Sequence, residues 1–142
     1  MRKIFIFLVV IMLISSFQCK IEAGSRPDRE AVAVIYINME TAENENLKEH
    51  LDTIHPESPA YSATEKLMPQ IFSIYDLDYS IKNIKVVASS PDEIKVSFIQ
   101  TTKKVRGPEF KDNVVKGSHL LRKSEGKWKI YNSIIDSIDY LN

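Results

Sequence analysis

The sequence has little of what several kinds of function require. Among its 142 residues there is one cysteine, Cys19, and there are only four glycines. A lone cysteine near the N-terminus forms no disulfide within a folded domain and gives that domain no catalytic thiolate. The glycines do not form a phosphate-cradling loop, and no serine lies in a nucleophile elbow. The folded part is therefore expected to be stabilised by packing alone, without a cofactor.

Net charge is also lacking. The chain has 19 basic and 19 acidic residues, so it creates no long-range field that would attract a polyanion. Nucleic acid is therefore not an expected partner. The apolar fraction of 44% and the charged fraction of 27% are ordinary for a globular protein of this length, which predicts one domain with one core.

The N-terminus has the pattern of a secretory signal. Arg2 and Lys3 precede an apolar run from Ile4 to Phe17. The run is shorter than the roughly 20 residues that a membrane-spanning helix needs, so cleavage is expected instead of permanent insertion. The chain is therefore predicted to be exported, and to touch a membrane only through this signal or a lipid anchor.

Two ways of processing this signal remain open. Cleavage after Ala23 would remove residues 1–23 and leave residues 24–142 as a single domain. Alternatively, Cys19 becomes the acylated first residue of a lipoprotein, although Gln18 stands where such signals have a small residue. The mature protein is then either secreted or held at the cell envelope.

Three helices are predicted after the signal. The first begins after Ser25, which can cap it, and ends near Ala42. A short second helix covers residues 47–54. The third begins after Ser58 and continues past Pro69, where a kink is expected because proline removes one helical hydrogen bond.

From Leu77 onward the apolar residues alternate, which is typical of strands. A one-residue slip at Lys82 and Asn83 predicts a bulge in the first strand, and a break in alternation predicts another near Ser133. Because bulged strands bend, the sheet is expected to curl around the helices as an α+β cone. Three further strands are predicted to form an antiparallel meander: Ile94–Val105, Val114–Lys123 and Lys127–Leu141.

This order of elements resembles the nuclear transport factor 2-like superfamily, whose fold is also described as cystatin-like. The resemblance covers about residues 27–141 and implies a cone whose open mouth often holds a small ligand, with a tendency to form homodimers through the sheet. The superfamily includes ketosteroid isomerase-like and polyketide cyclase-like enzymes. The segments that carry the resemblance are Thr53–Pro59, Ile74–Leu77, Gln100–Thr102, Gly107–Asn113 and Gly126–Tyr131.

Enzymes of this superfamily would need an acid or a base inside the cone. The candidates are His119, in the middle of the central strand, and Asp112, just before that strand. Each has an ordinary alternative interpretation: His119 as a hydrogen-bonded histidine of a sheet, and Asp112 as a turn-forming aspartate.

A polar ligand lining is a second hypothesis. Gln100, Thr102 and Lys104 share one face of a strand, and Arg122 joins them if the register of the neighbouring strand permits. Tyr36 and Tyr75 are candidate pocket walls. The alternatives are a solvated end of the sheet for the polar set and core positions for the tyrosines.

No metal site is predicted. His50 and His55 lie five residues apart across a helix end, which is not a metal-binding spacing. With few proton-handling groups, the expected function is non-catalytic binding of a small apolar or amphipathic ligand, or of a partner protein. The alternative is a lyase or isomerase of the ketosteroid isomerase-like or polyketide cyclase-like type.

Overall fold

The computed structural model describes residues 24–142, so the predicted signal and Cys19 lie outside the described residues. Its elements are α1 (Arg26–Glu43), α2 (Leu47–Asp52), α3 (Tyr61–Ile74), β1 (Asp76–Ser89), β2 (Glu93–Arg106), β3 (Asn113–Ser124) and β4 (Lys127–Tyr140). The strands form one antiparallel sheet in the order β1-β2-β3-β4. This confirms the predicted α+β architecture of three helices followed by a meander.

Helix α1 begins where the sequence predicts. The hydroxyl of Ser25 accepts a hydrogen bond from the backbone N–H of Asp28 at 3.3 Å, and Pro27 occupies the first turn. Ala31 and Ile35 are buried, and α1 packs on β1, β2 and β4. Among the described residues, no helix combines the length and the hydrophobicity needed to cross a bilayer.

The core lies between α1 and one half of the inner face of the sheet. Ile94 and Val96 of β2 point inward and lie opposite Leu121 and His119 of β3, so these residues share the inner face. The other half of this face is not covered by α1. The buried core cluster consists of Ala31, Ile35, Ile94, Val96, Leu121, Trp128 and Ile130.

Helix α3 is much less buried than α1. It contains no buried residue and packs mainly on α2. The helix continues through Pro69, as predicted, but its N-cap is Ala60 and not Ser58. The Ser58 hydroxyl instead accepts the N–H of Ala60 at 3.2 Å, because Ser58 lies in the turn two residues before the N-cap.

The two ends of α3 lie over opposite edges of the sheet, both on its inner face. Near its start, Thr64 lines the same cavity as Ser133 of β4. Near its end, Phe72 lines a small pocket with Leu77 of β1. The helix therefore crosses the half of the inner face that α1 leaves open.

Bulges bend the sheet. The register of β1 against β2 shifts between Lys82 and Lys85, where a bulge was predicted, and Asn83 has a φ of 54°. Strand β4 has two register shifts against β3, at Tyr131 and at Asp136, so the single bulge predicted near Ser133 is replaced by one on either side of it. Two extra residues allow β4 to curve more strongly than one would.

Within residues 24–142, the outer edge of β4 is paired at one end only. Ile130 donates its N–H to the carbonyl of Thr53 and accepts the N–H of His55, both at 2.8 Å. These bonds form a parallel bridge between Ile54 and Ile130. The segment after α2 therefore extends the sheet for one step.

Candidate functional site

A cavity of about 170 Å³ lies inside the cone, beneath the start of α3. The second half of α1, the end of α2 and the middle of β3 and β4 form its walls. Its lining is made of hydroxyl, amide and imidazole groups together with aliphatic side chains. The lining residues are Asn38, His50, Ile54, Ser58, Ala60, Thr64, His119, Ile130, Asn132 and Ser133.

His119 is held in this cavity by two contacts. Its Nδ1 lies 2.8 Å from the hydroxyl of Ser133, on the opposing strand. Its ring stacks on that of Phe98, with centroids 4.4 Å apart and an angle of 18° between the planes. Burial lowers the pKa of His119 from 6.5 to about 4, so the imidazole is neutral near pH 7.

His50 forms another part of the lining. The sequence predicted it on the exposed side of the second helix, but the structure leaves it only 7% exposed, because α2 packs that side against α1. Its Nδ1 lies 3.0 Å from the carbonyl oxygen of Asn38, to which it can donate. Burial lowers the pKa of His50, so this imidazole is also held in its neutral form.

Among the residues that the structure describes, no carboxylate, lysine or arginine lines the cavity. Its donors and acceptors are neutral, while Ile54 and Ile130 supply apolar surface. Such a lining can hydrogen-bond an uncharged molecule and bury its apolar part, but it cannot compensate a full charge. The cavity is therefore suited to a small amphipathic ligand.

The structure does not bring Asp112 to His119. One carboxylate oxygen of Asp112 accepts the N–H of Lys104 at 2.8 Å, and its carbonyl accepts the N–H of Leu141. It precedes β3, whereas His119 lies in the middle of that strand, roughly 20 Å away along an extended chain. Asp112 thus fixes the entry to β3 and leaves His119 without a carboxylate partner.

The predicted polar lining is brought together in part. Gln100, Thr102 and Lys104 share the inner face of β2, beyond the cavity. The amine of Lys104 donates hydrogen bonds to the carbonyl oxygens of Gly107 and Pro108, at 3.3 and 2.8 Å. Whether this set contacts a ligand remains a prediction.

Arg122 lies on the opposite face of the sheet. It is opposite Glu93, which alternates with the inward-facing Ile94, and it donates to the Glu93 carboxylate at 2.9 Å. Its guanidinium also lies 3.8 Å from the ring centroid of Tyr131. Arg122 is therefore separated from the other three residues by the sheet itself.

The two predicted tyrosine walls also lie outside the cavity. Tyr36 is 46% exposed on α1. Tyr75 ends α3 and packs on Phe110, with ring centroids 5.6 Å apart. It therefore helps to hold the loop before β3 against the end of α3.

The mouth of the cone is apolar, which the sequence analysis did not identify. On the inner face of β4, Ile135, Ile138 and Tyr140 are 51%, 48% and 62% exposed, and Leu67 of α3 is 53% exposed. Ile138 and Tyr140 alternate in the sequence, but Ile135 joins their face only because of the bulge at Asp136. That no helix covers them depends on the placement of α3.

No cluster that could hold a metal ion is present in residues 24–142, counting groups of three or more His, Cys, Asp or Glu side chains. The cavity lining contains two of these residues, His50 and His119, and its other polar groups are amides and hydroxyls. Two imidazoles supply fewer ligands than the three or four that protein zinc sites use.

Helices packed inside a curved four-stranded sheet, with a cavity on its concave side, form the fold described as nuclear transport factor 2-like or cystatin-like. Solved structures agree with this fold. A protein with a cystatin-like fold from Nostoc punctiforme superimposes with a TM-score of 0.62 at 13% identity, covering 78% of this chain and 90% of that one. A ketosteroid isomerase-like protein from Erwinia carotovora gives 0.60 at 17% identity, with coverage of 80% and 99%.

A third similar structure, the β subunit of a benzoate 1,2-dioxygenase from Burkholderia mallei, gives a TM-score of 0.63 at 13% identity, with coverage of 73% and 85%. At such identities these similarities establish the fold alone.

Sequence similarity defines the family more closely. Residues 33–141 match the family model of the C-terminal domain of anti-sigma-I factor RsgI9, and the chain belongs to this family. The RsgI9 protein of Acetivibrio thermocellus is 35% identical over 106 residues. That match covers 75% of this chain and 15% of the relative, so the chain spans a small part of the relative's length.

Proposed function

We propose that the domain is a non-catalytic binding module that holds a small, uncharged amphipathic ligand in the cavity of the cone. The observation that carries this proposal is the pair of neutral histidines, His50 and His119, in a lining without a carboxylate, lysine or arginine. Neutral donors and acceptors beside aliphatic surface favour a ligand of the same character.

The size of the cavity limits the ligand. A volume of about 170 Å³ is close to that of an apolar cavity of roughly 150 Å³ that holds benzene. The ligand, or the part of it that enters, is therefore expected to have about six to eight non-hydrogen atoms. A larger molecule would extend into the apolar mouth, beside Ile135 and Ile138.

The environment of His119 favours binding over proton transfer. General acid–base catalysis works best when the pKa of the group lies near the working pH, and a base is usually oriented by a third group such as a carboxylate. His119 has a pKa of about 4, and its Nδ1 partner is the hydroxyl of Ser133. A base this weak contributes little near pH 7.

The family relationship supports a regulatory setting. The relative is named an anti-sigma-I factor, and the matching segment is its C-terminal domain. We therefore propose that ligand binding by this domain serves to report the presence of the ligand to a partner protein. Arg2, Lys3 and the apolar run that follows support a position outside the cytoplasm.

A matched set of small probes tests the ligand class. Ligand-observed NMR on the purified chain would compare benzyl alcohol, benzoate and benzylamine, together with neutral, anionic and cationic analogues of the same size. Only the neutral compounds are expected to bind. Stronger binding of the anions or cations, or binding by no compound of any class, would contradict the proposal.

Two variants localise the binding. Thr64→Phe places a large side chain into the cavity from α3 and is expected to abolish binding of the neutral probes. Ser62→Phe puts the same side chain on the exposed part of α3 and is the matched control, which should bind like the original chain. Equal binding by both variants would place the ligand elsewhere.

A further inference from the structure

Strand β4 has a long free edge. Its inner neighbour is β3, and on its other side the bridge to Thr53–His55 reaches no further than Ile130. From Asn132 to Tyr140, no strand of residues 24–142 pairs with this edge. An open edge of this length presents a row of unpaired backbone donors and acceptors, which is a template for another strand.

Two hydrogen bonds establish which backbone groups face outward. Leu141 donates its N–H to Asp112, on the β3 side. Because donors alternate along a strand, Ile138 and Tyr140 direct theirs to the free edge. Beyond the bulge at Asp136, the Ser133 N–H is taken by the side chain of Asn132 at 2.9 Å, as expected for a donor without a strand partner.

The side chains along this edge are unusually apolar for an exposed edge strand. Ile134, Ile135, Ile138 and Tyr140 are all at least two-fifths exposed, on both faces of the strand. Edge strands of soluble proteins are normally short, bulged or rich in lysine. β4 is bulged at Tyr131 and at Asp136, but it has no lysine after Lys129.

The opposite edge of the sheet is protected in the usual way. Strand β1 has register shifts between Lys82 and Lys85 and between Val86 and Ala88, and its lysines are exposed. The bulges interrupt the row of backbone groups that a partner strand needs, as the bulge at Asp136 does in β4. The exposed lysines of β1, which the free part of β4 lacks, further oppose the addition of a strand. The two edges of the sheet therefore differ in their capacity to accept another strand.

Charge restricts what can pair with β4. Its free part carries Asp136 and Asp139, and the only ion pair that the latter forms among the described residues, with Lys116, is long at 3.8 Å and exposed. If two copies of the chain paired through β4 in antiparallel fashion, four carboxylates would line one seam. A strand with lysine or arginine among its apolar residues would instead be attracted.

We propose that the edge of β4 from Asn132 to Tyr140 binds an extended segment of another polypeptide, apolar and basic in composition, by adding it to the sheet as a further strand. The backbone of the segment pairs with Ile138 and Tyr140, its apolar residues cover the exposed isoleucines, and its basic residues face Asp136 and Asp139. The proposal does not depend on ligand binding in the cavity.

Three nine-residue peptides test this proposal on the purified chain. The first alternates valine with threonine and lysine, the second has glutamate for lysine, and the third is the basic peptide interrupted by proline. The basic peptide is expected to bind about tenfold more tightly than either of the others, given two favourable cross-strand charge pairs. Its binding should slow amide hydrogen exchange at Ile138 and Tyr140.

Charge reversal at the edge provides the decisive variant. Asp136→Lys combined with Asp139→Lys should make the chain prefer the acidic peptide. The same change at two exposed aspartates on the opposite side of the sheet, Asp78 of β1 and Asp92 in the turn after β1, should not. Ile138→Pro removes one outward donor and should weaken binding of the basic peptide, with the near-UV signal of buried Trp128 as the check on folding.

Several results would overturn the proposal. Equal binding of the basic peptide and its proline-interrupted form would indicate attraction without strand pairing. Protection from exchange in β1, or in neither edge strand, would place the contact elsewhere. Slower exchange at Ile138 with rising concentration of the chain alone would make a second copy the occupant.

Discussion

The burial of His119 has a consequence for stability that can be measured by changing pH. In the folded chain the pKa of His119 is about 4, against 6.5 for a histidine exposed to solvent. As pH falls below 6.5, the unfolded chain gains a proton on this ring and the folded chain does not. Stability is therefore lost between about pH 6.5 and pH 4, and is fully present above that window.

The size of the effect follows from the shift. A difference of about 2.5 pKa units corresponds to roughly 3 kcal/mol of unfolding free energy at pH 4, and to about 2 kcal/mol at pH 5. His50, whose pKa burial also lowers, adds a loss of the same sign. Asp28 and Asp76, whose hydrogen bonds to Ser89 and Arg106 lower their pKa, lose their contributions only at more acidic pH.

Urea unfolding at pH 7 and pH 5 measures this loss, and His119→Gln is the matched control because glutamine can hydrogen-bond Ser133 but does not titrate. The original chain should lose about 2 kcal/mol more than the variant between the two pH values. Identical losses would refute the reasoning, because they would mean that the His119 ring has the same pKa in the folded and unfolded chains.

Three further predictions concern packing and processing. Gly117→Ala should destabilise the chain by about 1–3 kcal/mol in urea unfolding, because a Cβ there would meet the backbone oxygen of Ile134; an unchanged midpoint would contradict the close approach of β3 and β4. Trp128→Phe should lower the free energy of unfolding by no more than about 1 kcal/mol, because the buried indole N–H has no hydrogen-bond partner among the described residues. Trp128→Ala, which removes the whole buried ring, should lower it by about 3–5 kcal/mol. Similar losses for both Trp128 variants would indicate an unrecognised partner for the N–H. If the N-terminal segment is a cleaved signal, as we propose, mass spectrometry of the chain recovered outside the cytoplasm of a producing bacterium should find a protein that begins directly after Ala23; a lipid on Cys19 would establish the other route, and recovery of the intact chain alone would contradict both.

The sequence was sufficient for features that depend on local periodicity. Alternation of apolar residues predicted the meander and the bulge at Asn83, and Ser25 with Pro27 predicted the start of α1. Gln100 and Thr102 were placed on one face because side chains in a strand alternate with a period of two. These are properties of single segments.

Features that depend on how segments meet were not predictable. The face on which Arg122 lies is set by the register between β2 and β3, which puts it opposite Glu93. His50 is in a helix of six residues, too short for its pattern to show which side is buried. The proximity of His50 and His119 depends on the packing of α2 beside α1 and on the path of β3.

The cavity and the open mouth of the cone have the same origin. Their existence follows from the position of α3, which crosses the sheet without burying any of its own side chains. The position of α3 leaves Ile135 and Ile138 exposed, and no pattern within α3 or β4 indicates that position.

The proposed function requires that the cavity beside His119 accepts uncharged molecules and rejects ions of the same size. The most direct measurement is NMR of the ring nitrogens of His50 and His119 while benzyl alcohol or benzoate is added. Saturable shifts of both rings with benzyl alcohol, and none with benzoate, are the predicted result. Shifts with benzoate that exceed those with benzyl alcohol, or no shift of either ring with any neutral probe, would contradict the account.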